Sequence, residues 1–350
     1  MNASPAVPRH LAPFLTPLSA LFGAGARFRL ALYQAGLLSV RRAGRPVVSV
    51  GNIAAGGTGK TPFVRFLASE LLRRGLRPSI LTRGYGRTSR GTLVVADGAG
   101  YVAPVPEAGD EPSLLARALP GVPIIADARR GRGAAAAEAL PAGVDLHLLD
   151  DGFSHVALER DVDIVLIDAT DPDAGGLLPG GRLREPLSSL ARADLIVVTK
   201  CEQADPSASI ALAARHARGT PVFRARTTVL GISDPEGRTV DPADLPAGTA
   251  VAVAGLARPE AFRFTLEQMG IAPTTFLPFP DHARYGPYRI GQILRAAEET
   301  GATAILATEK DAVKLEGLLS LPIFRFAIEM RVEEPVFVAE VLSRLGKSPS

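Results

Sequence analysis

Short apolar runs alternate with helix-like stretches along most of this chain. The runs fall at 47–50, 78–81, 122–126, 144–149, 164–167 and 195–199. Several are apolar on consecutive residues, as strands buried on both faces are. Stretches such as 62–74 and 113–119 read as helices between them, and 132–142 as a helix plus a turn. This alternation predicts an α/β fold with a mostly parallel sheet and helices on both faces. From 229 to 249 the texture changes, and Gly231, Pro235, Gly237, Pro242, Pro246 and Gly248 crowd a polar stretch. Beyond it, strands are expected near 251–254 and 304–307, helices near 259–269, 287–300 and 309–318, and a closing helix over 335–345. The expected organisation is an N-terminal segment (1–42), a main domain (43–228), a linker or hinge (229–249), a smaller α/β domain (250–330) and a C-terminal helix and tail (331–350).

The first apolar run leads into Ala54-Ala55-Gly56-Gly57-Thr58-Gly59-Lys60-Thr61. A glycine-rich turn between strand and helix exposes backbone N–H groups to phosphate oxygens, and the helix N-terminus adds its dipole. Gly56, Gly57, Thr58 and Gly59 would cradle the phosphates. Lys60 would reach the β- and γ-phosphates and the Thr61 hydroxyl would hold Mg²⁺. The first position is Ala54 instead of glycine, a small residue that still fits, and Pro62 suits a first helical turn. The chain is therefore expected to have a P-loop NTPase-type fold and to bind a nucleoside triphosphate. Further on, 144–149 leads into Asp150-Asp151-Gly152. Acids at such a strand end hold Mg²⁺ directly or through water, and the sequence leaves open which of the two does so.

Composition narrows the picture. At 350 residues with 47% hydrophobic side chains there is material for two cores, and the single cysteine, Cys201, excludes an internal disulfide or a cysteine-based metal cluster. The net charge is +3, yet every charged residue up to position 60 is basic: Arg9, Arg27, Arg29, Arg41, Arg42, Arg45 and Lys60. That imbalance favours an anionic surface as partner. Nucleic acid is disfavoured, with aromatics at 5% and no recognised binding motif; no obligate protein partner is expected.

Leu11, Phe14, Leu15, Leu18, Leu21 and Phe22 recur at helical spacing, and a second apolar cluster follows at 30–38. The uncharged run 11–26 is shorter than the roughly 20 residues a membrane span needs, and it contains Pro13 and Pro17. The segment reads as an amphipathic helix lying on a membrane with its arginines at the headgroups; a helix packed on the protein's own core is the alternative. Ala24-Gly25-Ala26 imitates a signal cleavage site, but export would separate the phosphate loop from ATP.

Other residues have the chemistry of an alcohol kinase. Gly109-Asp110-Glu111-Pro112 opens a helical stretch, so Asp110 could cap it or could deprotonate a substrate hydroxyl. Asp281-His282 offers such an acid a partner. Arg182 and Arg184, in the turn-rich 178–186 segment with Glu185, suit an anionic substrate, and Arg83 follows a strand where it could face the ligand. Thr199-Lys200-Cys201-Glu202 imitates a guanine-reading turn with Glu in place of Asp, so a GTPase is a competing reading. A nucleotide-switched membrane scaffold is another.

Taken in order, these segments resemble the tetraacyldisaccharide 4′-kinase (lipid A 4′-kinase) family. The resemblance rests on Ser49-Val50-Gly51-Asn52-Ile53 running into Gly56 to Pro62, Arg83-Gly84-Tyr85-Gly86, Gly109-Asp110-Glu111-Pro112 and Asp150-Asp151-Gly152-Phe153 with His155. It continues through Leu178-Pro179 with Leu183-Arg184-Glu185-Pro186, Asp281-His282 with Tyr285, and Thr308-Glu309-Lys310-Asp311-Ala312-Val313-Lys314. It implies transfer of the ATP γ-phosphoryl group to the 4′-hydroxyl of a tetraacylated disaccharide 1-phosphate, at the cytoplasmic face of the bacterial inner membrane. It implies two α/β/α domains joined by a two-stranded hinge and a membrane-touching N-terminal helix. It assigns Asp110 as catalytic acid, His282 as its partner and Asp150 and Asp151 to the metal. Arg83, Glu111, His155, Arg184 and Glu185 are the expected substrate contacts. Two positions depart from the pattern: Ser154 replaces a Gln, and Ala283 replaces a second His after His282.

Overall fold

The structure, a computed structural model, describes residues 12–256, 258–281 and 283–346. The chain forms two compact units, the larger holding residues 5–227 and 330–350 and the smaller chiefly 228–329.

The larger unit begins with α1 (Ala12–Gln34), followed by β1 (Val47–Gly51), α2 (Lys60–Arg73), β2 (Pro78–Thr82), β3 (Leu93–Ala96), α3 (Val105–Ala108), α4 (Asp110–Ala118), β4 (Ile124–Ala126), α5 (Arg130–Glu138) and β5 (Leu146–Asp150). It continues with β6 (Val162–Asp168), β7 (Leu195–Thr199), α6 (Ser207–His216) and β8 (Val222–Ser233). Its strands lie in the order β8-β7-β6-β1-β5-β2-β4-β3. Every neighbour is parallel except the edge strand β3, which runs antiparallel to β4. β1, β2, β5, β6 and β7 are buried along their whole length, which is why they read as unbroken apolar runs. α2 packs Phe63, Val64, Leu67, Ala68 and Leu71 on this sheet, the i, i+4 face of an amphipathic helix.

The smaller unit contains the rest of β8, then β9 (Ala250–Ala254), α7 (Glu260–Gln268), β10 (Thr275–Pro278), α8 (Pro287–Thr300), β11 (Ala304–Thr308), α9 (Glu309–Leu315) and most of β12 (Ile323–Val332). Its strands are parallel in the order β10-β9-β11-β12. β8 extends to Ser233, into the stretch whose Gly and Pro content reads as linker. The chain returns through β12 to the larger unit and ends in α10 (Phe337–Arg344). There Phe337 meets Phe63 and Phe223 edge-on, with ring centroids 5.7 and 5.1 Å apart.

α1 is one continuous helix, and Pro17 near its start removes one backbone bond. Ser19 Oγ donates to Leu177 O and accepts from Gly180 N, both at 3.0 Å. A Cβ on Gly23 would come within 2.7 Å of Leu177 Cδ1, so glycine lets this face approach closely. The other side exposes Leu18, Leu21, Phe22 and Phe28. Among the described residues no helix is long and apolar enough to cross a membrane.

Candidate functional site

β1 lies between β5 and β6; the chain runs from β1 towards the β2-β4-β3 edge, returns to β5 and then crosses to β6 on the other side of β1, and ligands bind at the carboxyl ends of strands at such a switch point. The phosphate loop starts there and closes at Gly59, which caps α2 in the left-handed conformation (φ 85°). A Cβ on Gly59 would lie 2.4 Å from Met330 Cε, so both backbone angle and packing require glycine. Asn52 is buried at the base of the loop, and its Nδ2 donates to Thr58 Oγ1 at 2.8 Å. Thr199 Oγ1, at the end of β7, donates to Thr58 O at 3.0 Å. Lys60 Nζ reaches Asn52 Oδ1 at 3.2 Å and Asp151 Oδ1 at 3.6 Å.

The paired acids end β5, the strand beside β1, and their environments differ. Asp150 is buried, with the Thr82 hydroxyl 3.4 Å away. Burial, then the negative charges of Glu111 and Asp151, push its carboxyl up to about 7, against the pull of Lys60 and Arg130. Burial acts the same way on Asp151, but the Arg184 hydrogen bond and the charges of Lys60, Arg184 and Arg130 outweigh it and hold that carboxyl well below the usual range. Arg184 grips Asp151 with both Nη groups, at 3.0 and 2.8 Å, and also donates to Asn52 Oδ1. Arg184 itself is fixed by its backbone N–H, which donates to Ile53 O at 2.7 Å. Two of the expected site elements, the loop and the acid pair, thus come together, and Arg184 joins them.

Beyond them lies a basic region that sequence reasoning only partly identified. Arg130, at the start of α5, is almost fully buried; its Nη2 is 3.5 Å from Asp150 O, and burial lowers its pKa to about 10. Its Ala- and Gly-rich surroundings gave no signal of a site. His155 follows the acids in a turn closed by its N–H to Gly152 O at 2.8 Å. Burial, then the charges of Arg130, Arg29, Arg160 and Arg83, push its imidazole down to about 4, so it is neutral at neutral pH. The site therefore presents a concentrated positive potential suited to an anion. Glu185 accepts from Ser154 Oγ at 2.6 Å and pairs with Arg192, whose guanidinium lies 4.2 Å from the Phe153 ring centre. Ser154, in place of the usual Gln, is thus bonded to an expected substrate contact.

Asp110 occupies the first turn of α4 while Gly109, at φ 87°, holds the cap position with no side-chain bond. The capping reading of Asp110 is therefore replaced, because the glycine before it makes the turn. Glu111 lies beside it, close enough to raise Asp150. In the smaller unit, Lys310 Nζ holds Asp281 at 2.8 Å, and Asp311 receives Tyr285 OH, Thr308 Oγ1 and Gly255 N, each at 2.8 Å. Ala283 is buried in that unit's core, and His282 lies outside the described residues. The imitation of a guanine-reading turn fails on geometry. Glu202 accepts from Thr227 N and Gln203 Nε2, both at 3.0 Å, and Lys200 Nζ pairs with Asp168 at 2.6 Å in a buried contact. Among the described residues no three or more His, Cys, Asp or Glu gather as a metal cluster.

Known proteins are similar to this chain along nearly its whole length. The family model "LpxK: Tetraacyldisaccharide-1-P 4′-kinase" matches residues 11–346. A tetraacyldisaccharide 4′-kinase of Anaeromyxobacter sp. (strain Fw109-5) is 44% identical over 318 residues, covering 90% of this chain and 85% of its own. One from Geobacter sulfurreducens is 38% identical over 346 residues, covering 97% and 95%. The crystal structure of LpxK from Aquifex aeolicus in complex with ATP superposes with a TM-score of 0.78 at 34% identity, covering 95% of this chain and 98% of that one. These relatives carry the name of a lipid kinase, not of a GTPase or a scaffold. With a glycine-rich loop, paired acids and a cluster of arginines in one unit, and a family match along nearly its whole length, the chain belongs to the tetraacyldisaccharide-1-P 4′-kinase family.

Proposed function

We propose how this chain carries out its family's reaction, the ATP-dependent phosphorylation of the 4′-hydroxyl of the lipid A precursor, and which residues take part. The observation that carries the reading is the convergence of Lys60, at the start of α2, and Arg184, in the loop after β6, on Asp151 at the end of β5. Backbone N–H groups of Gly57 to Thr61 and the Lys60 ammonium face the β- and γ-phosphates and offset charge on the transferring group. Thr61, Asp150 and Asp151 fit Mg²⁺. They offer hard oxygen ligands, and the raised Asp150 carboxyl is one whose ionised form a nearby cation would favour. A bound Mg²⁺ would supply charge neutralisation at the phosphates. Arg184 uses both Nη groups on Asp151 and Asn52, so its role is to brace the acid instead of gripping substrate. The lipid's phosphate and sugar are left to Arg130, Arg83, His155, Glu111 and Glu185.

Asp110 accepts the proton of the 4′-hydroxyl as the new bond to phosphorus forms, with His282 as the partner that the resemblance assigns. The exposed apolar stripe of α1 and its arginines fit a membrane surface, which for a lipid substrate made in bacteria is the cytoplasmic face of the inner membrane. The test uses γ-labelled ATP, Mg²⁺ and the tetraacyldisaccharide 1-phosphate in detergent. Label should enter the lipid, vanish with Lys60→Ala, and fall at least about 100-fold with Asp110→Ala, the lower end of general-base effects. Near-normal turnover by Asp110→Ala would remove it from the mechanism.

A further inference from the structure

Asn52 carries no charge and lies almost wholly out of solvent, yet its side chain bonds Thr58, Lys60 and Arg184. Its amide orientation is fixed by chemistry. Lys60 and Arg184 can only donate, so the atom facing both must be the carbonyl oxygen, and the NH₂ group then faces the Thr58 hydroxyl. One side chain therefore links three parts: the loop through Thr58, the phosphate-facing cation through Lys60, and the brace of the acid pair through Arg184. Thr58 is held from behind by the Thr199 hydroxyl on its carbonyl, so the anchor is itself fixed.

We infer that Asn52 is a positioning residue of the transfer reaction, a neutral amide that sets the headings of Lys60 and Arg184 against the phosphate loop. Neutrality is the central requirement. Asp151 already supplies the negative charge that holds the two cations together. A carboxylate at position 52 would have the same shape but would cancel charge that Lys60 must bring to the phosphates. An amide oxygen aims the ammonium by its dipole and leaves the charge available. The NH₂ group adds what a carboxylate cannot, a donor to Thr58, so one residue coordinates loop and cations.

The proposal rests on the assignment of Lys60 to the phosphates given above, and the experiment separates the two. Full-length wild-type protein, Asn52→Ala, Asn52→Asp and Lys60→Ala are compared in steady-state kinetics, varying ATP and lipid separately, with the thermal midpoint of each measured. Asn52→Ala should lower kcat/KM for ATP about 10- to 100-fold, as loss of a residue that orients a first contact does. The KM for lipid should stay within about twofold, since Asn52 acts through Lys60 and Arg184 and touches none of the residues proposed to hold the lipid. Asn52→Asp, which keeps the shape, should be at least as impaired. Wild-type kinetics in Asn52→Asp would overturn the neutrality argument. An equal rise in both KM values together with a collapsed thermal midpoint in both variants would reduce Asn52 to a folding residue. Should Lys60→Ala itself retain ATP turnover, the underlying reading of Lys60 falls first, whatever Asn52 does.

Discussion

Two carboxyls, adjacent in sequence at the end of β5, are driven in opposite directions: Asp150 up to about 7 and Asp151 below its usual range. The consequence for stability has a definite sign. Without a cation, the unfolded chain releases the Asp150 proton near 3.8 while the folded chain keeps it to about 7. Between those values the unfolded state binds fewer protons, so stability contributed by Asp150 is present below about 4 and lost as pH rises through about 7. The thermal midpoint of metal-free wild type should fall more steeply across that window than that of Asp150→Asn. Mg²⁺ added at higher pH should restore more to wild type than to the variant. Identical slopes would mean that Asp150 is not the buried acid described. At this scale the sequence identified side chains by type but not by partner. Lys-Thr after a glycine turn and two acids after a strand are local patterns with one chemical use. Arg130 and Asn52 are different, because their importance comes from residues 20 and 132 positions away that only the folded chain brings to them. Ser154 and Ala283 looked like losses in the sequence. In the fold, one is bonded to Glu185 and the other fills a core.

Elements were legible where burial is uniform. The run 195–199 is β7 residue for residue, and 47–50 falls one short of β1. β3 and β12 were not anticipated, and β8 was half read as linker. All three are partly exposed, and β8 mixes arginine, threonine and glycine with apolar residues, so no unbroken apolar run marks it. α1 was expected as an amphipathic element, and the structure gives its two faces: Ser19 and Gly23 against 177–180, and Leu18, Leu21, Phe22 and Phe28 outward. Leu21 and Phe28 are 69% and 66% exposed, so replacing the four outward residues with serine should leave the fold intact. If this stripe lies on lipid, the variant's activity on anionic vesicles should drop at least about tenfold, because tenfold is ~1.4 kcal/mol, less than burying one leucine yields. Activity in detergent should stay within about twofold, being independent of membrane binding. Equal losses in both assays would assign the stripe to some other contact.

At the scale of the whole molecule, the chain leaves the larger unit within β8, builds the smaller one, and returns within β12. Each unit has its own apolar cores: the larger draws on residues 47 to 225 and on Met330 to Leu342, the smaller on Ile232 to Phe326. The family's motifs run in order over residues 46–314, but the return of the C-terminal stretch to the larger unit's core was not legible, because β8 and β12 each pass from one unit to the other. It has a testable consequence. Glu333 N donates to Arg224 O at 2.8 Å, and Arg224 and Arg226 pair with Glu333. Residues 224 and 226 thus lie beside 333, a few residues from Thr227 and Met330, and a flexible Gly/Ser linker joining those two positions can replace residues 228–329. The shortened chain should fold, since Phe337, Phe63 and Phe223 and the clusters around them all remain. It should still bind ATP through the loop, Lys60 and the acid pair. On the proposed role of His282 as partner of Asp110, it should transfer no phosphoryl group to lipid, because residues 281 and 282 are removed with the segment. A folded, ATP-binding product without transferase activity would show that nucleotide binding needs only the larger unit while transfer needs residues 228–329. Full transferase activity in the shortened chain would place the whole reaction on the larger unit and remove His282 from it.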